Sequence, residues 1–188
     1  MEHNQDLATY IDSWADHRPE AAAIEFEDQS STYLQLSNNI ETVANALYDL
    51  GVRRTNRVAW LGHNRPLAIE MLLACSRLGA IYLPLNSRLT VAEHQWILND
   101  ATPTVLVADT DFREQANAAL IASELKVSAE AELYVASPSA PRTGASNDDV
   151  LLAYTSGTTG RPKGAVLTQK ALVANAVNAT HAHDFSSH

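Results

Sequence analysis

The chain reads as an α/β fold: alternating βα units forming a mostly parallel sheet flanked by helices, preceded by an N-terminal helix and a hairpin. Three observations predict it. Short apolar runs at residues 57–61, 80–83, 104–108 and 150–154 have strand length. Stretches with helical apolar spacing separate them, and strands alternating with helices imply parallel units with right-handed crossovers. The 188 residues are 46% hydrophobic and 19% charged, enough apolar material for a core and too little charge for disorder.

Each element has its own signal. Leu7, Tyr10, Ile11 and Trp14 recur at i, i+3, i+4 and i+7, the spacing of a short amphipathic helix, and Arg18-Pro19 ends it. Residues 22–26 and 31–33 flank Glu27-Asp28-Gln29-Ser30 as a hairpin. Leu36, Ile40, Val43, Ala44 and Leu47 mark a longer helix closed by Gly51. Leu67, Met71, Ala74, Cys75 and Leu78 give one apolar face to a helix over residues 66–78. Thr90-Val91-Ala92-Glu93 has capping-box spacing and starts a helix reaching Asn99. Residues 112–125 are expected to be helical and 133–136 to form a further strand. Trp14, Trp60 and Trp96 fall in apolar patterns and are expected in the core.

Residues 137–149, with Pro138, Pro141 and Gly144, read as an exposed connection. They divide the chain into a βα part (1–136) and a part (150–188) holding a strand, a loop and a last helix from Gln169 to about Thr180.

That loop is the most informative stretch. Between Tyr154 and Ala165 it packs three glycines (Gly157, Gly160, Gly164), four hydroxyls (Thr155, Ser156, Thr158, Thr159) and one lysine, Lys163. Glycines let backbone N–H groups converge on one hollow, hydroxyls add donors, and lysine adds a compact positive charge, a composition suited to phosphate oxygens. A plain Gly/Ser/Thr connection has the same composition. The spacing is not that of a P-loop NTPase, because Pro162 and Lys163-Gly164 stand where that pattern needs Gly-Lys-Ser/Thr.

The string Tyr154-Thr155-Ser156-Gly157-Thr158-Thr159-Gly160-Arg161-Pro162-Lys163-Gly164 closely resembles the phosphate-binding signature of adenylate-forming (AMP-binding) enzymes. These are acyl-CoA synthetases such as fatty-acid–CoA ligases, luciferases and peptide-synthetase adenylation domains. The resemblance covers nearly the whole chain: residues 57–64 are similar to the family's first core strand, and 78–86 to its next helix-to-strand step. It implies that Thr155, Ser156, Gly157, Thr158, Thr159, Gly160 and Lys163 hold the β- and γ-phosphates of ATP. It further implies that Thr155 helps to hold Mg²⁺, that a carboxylic acid is the substrate and that CoA is the thiol acceptor. A luciferase-like or peptide-synthetase adenylation domain, or a non-catalytic truncated module, remains the alternative.

The resemblance also defines what to look for downstream. The family takes its metal-binding glutamate, ribose-binding aspartate and catalytic lysine from motifs well past the loop, the lysine from a C-terminal lid domain. Here no glutamate follows Glu132, the only acid past the loop is Asp184, and the last lysine is Lys170. The expectation is therefore the N-terminal part of the large domain of such a ligase, silent in catalysis and weak in ATP affinity by itself. An apolar face and a free strand edge left by the missing part would favour self-association.

Other candidates are weaker. A net charge of −9 with scattered lysines gives no basic stripe, which argues against nucleic-acid binding. The polar first residues and the lack of any apolar run of about 20 residues argue against a signal peptide or membrane span. The lone Cys75, on an apolar helix face, reads as a buried thiol in a reducing cytosol. His181, His183 and His188 do not share a helix face and read as a solvated tail. His63 and His94 lack a base–nucleophile partner in the pattern.

Overall fold

Strands and helices alternate along the chain, and the computed structural model describes residues 5–120, 125–135, 138–155 and 162–183. The order is α1 (Ala8–His17), β1 (Ala22–Phe26), β2 (Gln29–Thr32), α2 (Tyr33–Asp49), β3 (Arg57–Leu61), α3 (Pro66–Leu78) and β4 (Ile81–Leu85). There follow α4 (Val91–Ala101), β5 (Val105–Ala108), α5 (Arg113–Ala119), β6 (Lys126–Ala129), β7 (Asp149–Thr155), β8 (Lys163–Thr168) and α6 (Gln169–His183). Strands β1 and β2 form a separate hairpin, and the rest make one sheet in the order β6-β5-β3-β4-β7-β8. All neighbours in it run parallel except β7 and β8.

The sheet's centre reads as continuous apolar sequence because helices cover both of its faces. Val58, Trp60, Tyr82, Val105 and Val107 point toward α2 and α3, where they meet Val43, Leu47, Met71 and Leu78. The alternate residues Ala59, Leu61, Leu83, Leu106 and Ala108 point toward α4 and α5, meeting Ile97, Leu98 and Ala116. A smaller cluster of Ala8, Leu36, Ile40 and Leu73 docks the N-terminal helix.

Local chemistry sets the helix ends. Thr32 with Gln35, and Thr90 with Glu93, form capping boxes that satisfy otherwise unpaired N–H groups. Pro66 opens α3, and Gly79 closes it at φ 65°, in the left-handed region. Thr168 caps α6, its Oγ1 accepting from the Ala171 amide at 3.2 Å.

Four sequence expectations need correction. The second strand of the hairpin is Gln29–Thr32, so the turn is Glu27-Asp28 alone and Tyr33 opens α2. The strand after α5 lies at Lys126–Ala129, and Leu133 sits instead in a 3₁₀ turn over Glu130–Tyr134. Leu133 is fully buried against α2, so its hydrophobicity reports core packing and not strand pairing. α5 ends at Ala119, short of the expected residue 125. Trp14 keeps 42% of its surface exposed, stacked on Tyr33 at 5.6 Å with Arg18 over its ring.

The connection ahead of β7 is polar but tied down. Ala140 donates its amide to Asn45 Oδ1 at 2.8 Å, and Thr143 and Gly144 both donate to the Arg77 carbonyl at 2.9 Å. Arg142 binds the carboxylates of Asp6 and Asp12. Gly144 is required here, since an added Cβ would lie 1.8 Å from the Ser76 carbonyl oxygen. Cys75 is buried, and burial pushes its thiol well above the usual range. Among the described residues no helix is long and apolar enough to cross a membrane.

Candidate functional site

In open α/β sheets, ligands bind outside the carboxyl ends of the strands, where the chain turns toward helices on opposite faces. Here β3 leads to α3 on one face, while its neighbours β4 and β5 lead to α4 and α5 on the other. At that edge a cavity of about 740 Å³ opens between the residues that follow β3 (Gly62, His63, Asn64), those that follow β4 (Asn86, Ser87, Arg88) and the end of β7 (Ala153, Tyr154).

Strand β7 runs parallel to β4 and so delivers Thr155 to the same edge. β8 returns antiparallel, and Thr155 faces Lys163 across the ladder, its Oγ1 3.5 Å from the Lys163 carbonyl oxygen. The two ends of the glycine- and threonine-rich segment are thus held side by side. Ser156, Gly157, Thr158, Thr159 and Gly160 lie outside the described residues, as does Arg161.

Tyr154 explains one glycine of the motif. Its ring lies over the facing residue Gly164, where a Cβ would stand 3.2 Å from Tyr154 Cζ and 2.8 Å from Leu152 Cδ1. The same ring meets Trp96 edge to face at 6.0 Å, and its hydroxyl donates to Asp100. Burial, with Asp100 adding to it, pushes the phenol well above its usual range, so Tyr154 stays a neutral donor. Gly164 therefore serves packing between the arms of the hairpin.

The cations differ in their pairing. Arg54, Arg65, Arg77 and Arg142 are each paired with carboxylates. Lys163 is exposed, and neither its ammonium nor the guanidinium of Arg88 has a partner among the described residues. Among the described residues, two cations without a carboxylate partner therefore stand at the rim of this edge.

The histidines do not form a centre. His94 is buried and satisfied, with Nε2 2.9 Å from the Asn86 carbonyl and Nδ1 3.3 Å from Gln115 Nε2, which fits the Nε2–H tautomer. His63 lines the cavity, lies 3.6 Å from Asp111 Oδ2 and packs on Phe112. The side chain of His183 and all of His188 lie outside the described residues. No group of three or more His, Cys, Asp or Glu able to hold a metal occurs among the described residues. Thr155 offers a single hydroxyl, which fits an ion bound chiefly by substrate oxygens and not a cage built by the protein. Sequence reasoning missed Asn86, Ser87 and Arg88; their position directly after a parallel strand was the available signal.

Comparison with known proteins gives a consistent result. The family model described as "AMP-binding enzyme" matches residues 11–188. The chain is 38% identical over 196 residues to indoleacetate–CoA ligase of Aromatoleum aromaticum, covering 97% of this chain and 38% of that protein. It is 40% identical over 185 residues to feruloyl-CoA synthase of an Amycolatopsis species, covering 98% of this chain and 38% of the relative. It is also similar to the structure of o-succinylbenzoate CoA synthetase from Bacillus subtilis in complex with an acyl-adenylate intermediate. There the TM-score is 0.85 at 26% identity, over 97% of this chain and 47% of that one. The chain thus spans less than half the length of these relatives.

Proposed function

The chain belongs to the AMP-binding enzyme family, and from that premise we propose that these 188 residues are the phosphate-holding part of an ATP-dependent carboxylate–CoA ligase. What supports this most directly is the placing of Thr155 beside Lys163 at the carboxyl edge of a parallel sheet, next to the cavity. Thr155, Ser156, Gly157, Thr158, Thr159, Gly160 and Lys163 hold the outer phosphates of ATP in this reading. Thr155 would be a protein ligand of Mg²⁺, which would offset the charge on those phosphates.

The reaction is in-line displacement followed by acyl transfer. A substrate carboxylate oxygen bonds to the α-phosphorus as the bridging oxygen–phosphorus bond breaks and pyrophosphate leaves. The CoA thiolate then attacks the acyl carbonyl and AMP leaves. Such steps depend on positioning and charge neutralisation, and Lys163 and the hairpin supply both at the leaving group. The named relatives act on aromatic acids, so aromatic carboxylic acids are the substrate class to screen first.

The 188-residue polypeptide by itself holds ATP weakly and does not turn it over, since no glutamate follows Glu132 and no lysine follows Lys170. Titration with Mg·ATP should show weak saturable binding that Lys163→Ala lowers at least tenfold. Pyrophosphate exchange with indoleacetate or ferulate should stay at background. Equal binding by Lys163→Ala would remove the phosphate assignment, and exchange above background would remove the claim of silence. The polypeptide also self-associates through the free edge of β8 and the adjoining α6, where Val166 and Val177 are 54% and 49% exposed. A sedimentation coefficient that stays at the monomer value at every concentration would refute that.

A further inference from the structure

The hairpin β7–β8 carries Thr155 and Lys163, yet its ladder to the parallel sheet is thin. β3 pairs with β4 from Arg57 to Leu61 and with β5 from Val58 to Leu61. β7 pairs with β4 only at Leu151 and Tyr82 among the described residues. β8, at the sheet's edge, pairs with β7 alone. Buried Val150 and Leu152 hold β7 on the sheet, but β8 is exposed along most of its length and pairs with β7 alone, so the bonds at the base of the hairpin set where β8 lies.

The end away from the cavity is anchored by Asp148, paired with Arg54, and by the buried side chain of Gln169. Gln169 follows β8 directly and is 1% exposed. Its Oε1 accepts from the Leu7 amide and from Ser76 Oγ, each at 2.6 Å, and its Nε2 donates to the Ser76 carbonyl at 3.2 Å. Ser76 Oγ in turn accepts from the Ala8 amide at 3.3 Å. The Gln169 amide donates to the Asp148 carbonyl at 2.9 Å, which ties the start of β7 to the end of β8. The N-terminus of α1, the last turn of α3 and the base of the hairpin therefore converge on a single buried carboxamide.

We propose that Gln169 is a positioning residue for the phosphate site, an inference that rests on the reading of Thr155 and Lys163 as nucleotide contacts. β8 is a stiff lever about 20 Å long, clamped at Thr168-Gln169 and presenting Lys163 at its far end. Loss of the clamp leaves the fold intact but lets Lys163 wander from the place where it meets the outer phosphates. A buried carboxamide serving two donors and one acceptor at once has no apolar substitute.

Gln169→Leu keeps the volume and removes the bonds. Hydrogen exchange should speed up at least tenfold in the amides of β7 and β8 out to Thr155 and Lys163, while β3, β4 and β5 keep their protection. Mg·ATP affinity should fall at least fivefold. Val43→Ala, which opens the core at α2 far from the hairpin, should lower heat stability without changing that affinity. Gln169→Glu gives a second handle: its protonated form reproduces the donor and acceptor pattern, so protection of β8 should return on acidification. Exchange that rises only near residues 6–9 and 169, or an affinity lowered equally by Val43→Ala, would overturn the proposal. If the wild-type chain and Lys163→Ala both fail to bind Mg·ATP, the nucleotide reading falls, and the exchange pattern alone decides the clamp.

Discussion

Leu106 in β5 is fully buried, whereas Val166 in β8 keeps 54% of its surface exposed, although both strands belong to one six-stranded sheet. The contrast extends to their surroundings. β3, β4 and β5 are sealed by helices on both faces and joined by ladders along their length. The β7–β8 hairpin is held by its own antiparallel ladder, a thin join to β4 and side-chain bonds at its two ends. Burial of apolar area dominates the first region; in the second it holds β7 through Val150 and Leu152, while β8 depends on its ladder to β7 and on directional hydrogen bonds at its base. The candidate site lies on the second, because the element that meets a ligand must keep one side open.

The largest expected effect tests the sealed region. Leu106→Ala should destabilise the whole fold by about 2–5 kcal/mol in urea unfolding, with all amides losing protection together. Gly164→Ala should cost less, about 1–3 kcal/mol, by overpacking against Leu152 and Tyr154. Its loss of protection should stay within β7 and β8, and a global loss would erase the distinction between the two regions.

Acid should act at the base of the hairpin, where Arg142 joins it to α1. Burial opposes the charge on Asp12, but the Ser37 hydroxyl and the guanidinium groups of Arg142 and Arg77 outweigh it and hold the carboxyl below its usual range. A folded pKa below the unfolded one stabilises fully above about pH 4 and loses that contribution as pH falls through the folded value. Melting temperature should decline from about pH 5 to about pH 3, and less steeply in Asp12→Asn. The smallest effect belongs to Val166→Thr on the open face of β8. Stability should change by no more than about 0.5 kcal/mol, while self-association measured by sedimentation weakens.

How much of this was legible in the sequence follows the same division. β3 and α3 occupy residues 57–61 and 66–78, as their apolar patterns and flanking residues imply. The Thr90–Glu93 capping box forms as its spacing predicts. Local signals suffice where packing and propensity agree. β6 was hidden because Lys-Val-Ser-Ala at a sheet edge has little apolar content, while nearby Leu133 looked strand-like and is a core plug. Trp14 is surface-stacked because its partners Tyr33 and Arg18 lie on the outer side of α1, which helical spacing alone does not reveal. At the candidate site, composition alone does not separate Thr155 and Lys163 from a plain connection; the family resemblance singles them out, and the ladder adds that they face each other. The clamp at Gln169 could not be read, since its partners Leu7 and Ser76 are 162 and 93 positions away.

That separation also governs how the molecule is made. A ribosome adding about 5–20 residues per second exposes the first helix on the order of ten seconds or more before residue 169 is synthesised. Until then the amide of Leu7 has only solvent or a chaperone for company. The candidate-site hairpin thus seats after α1 and α3 have emerged, and its arrival closes a contact that spans 162 positions.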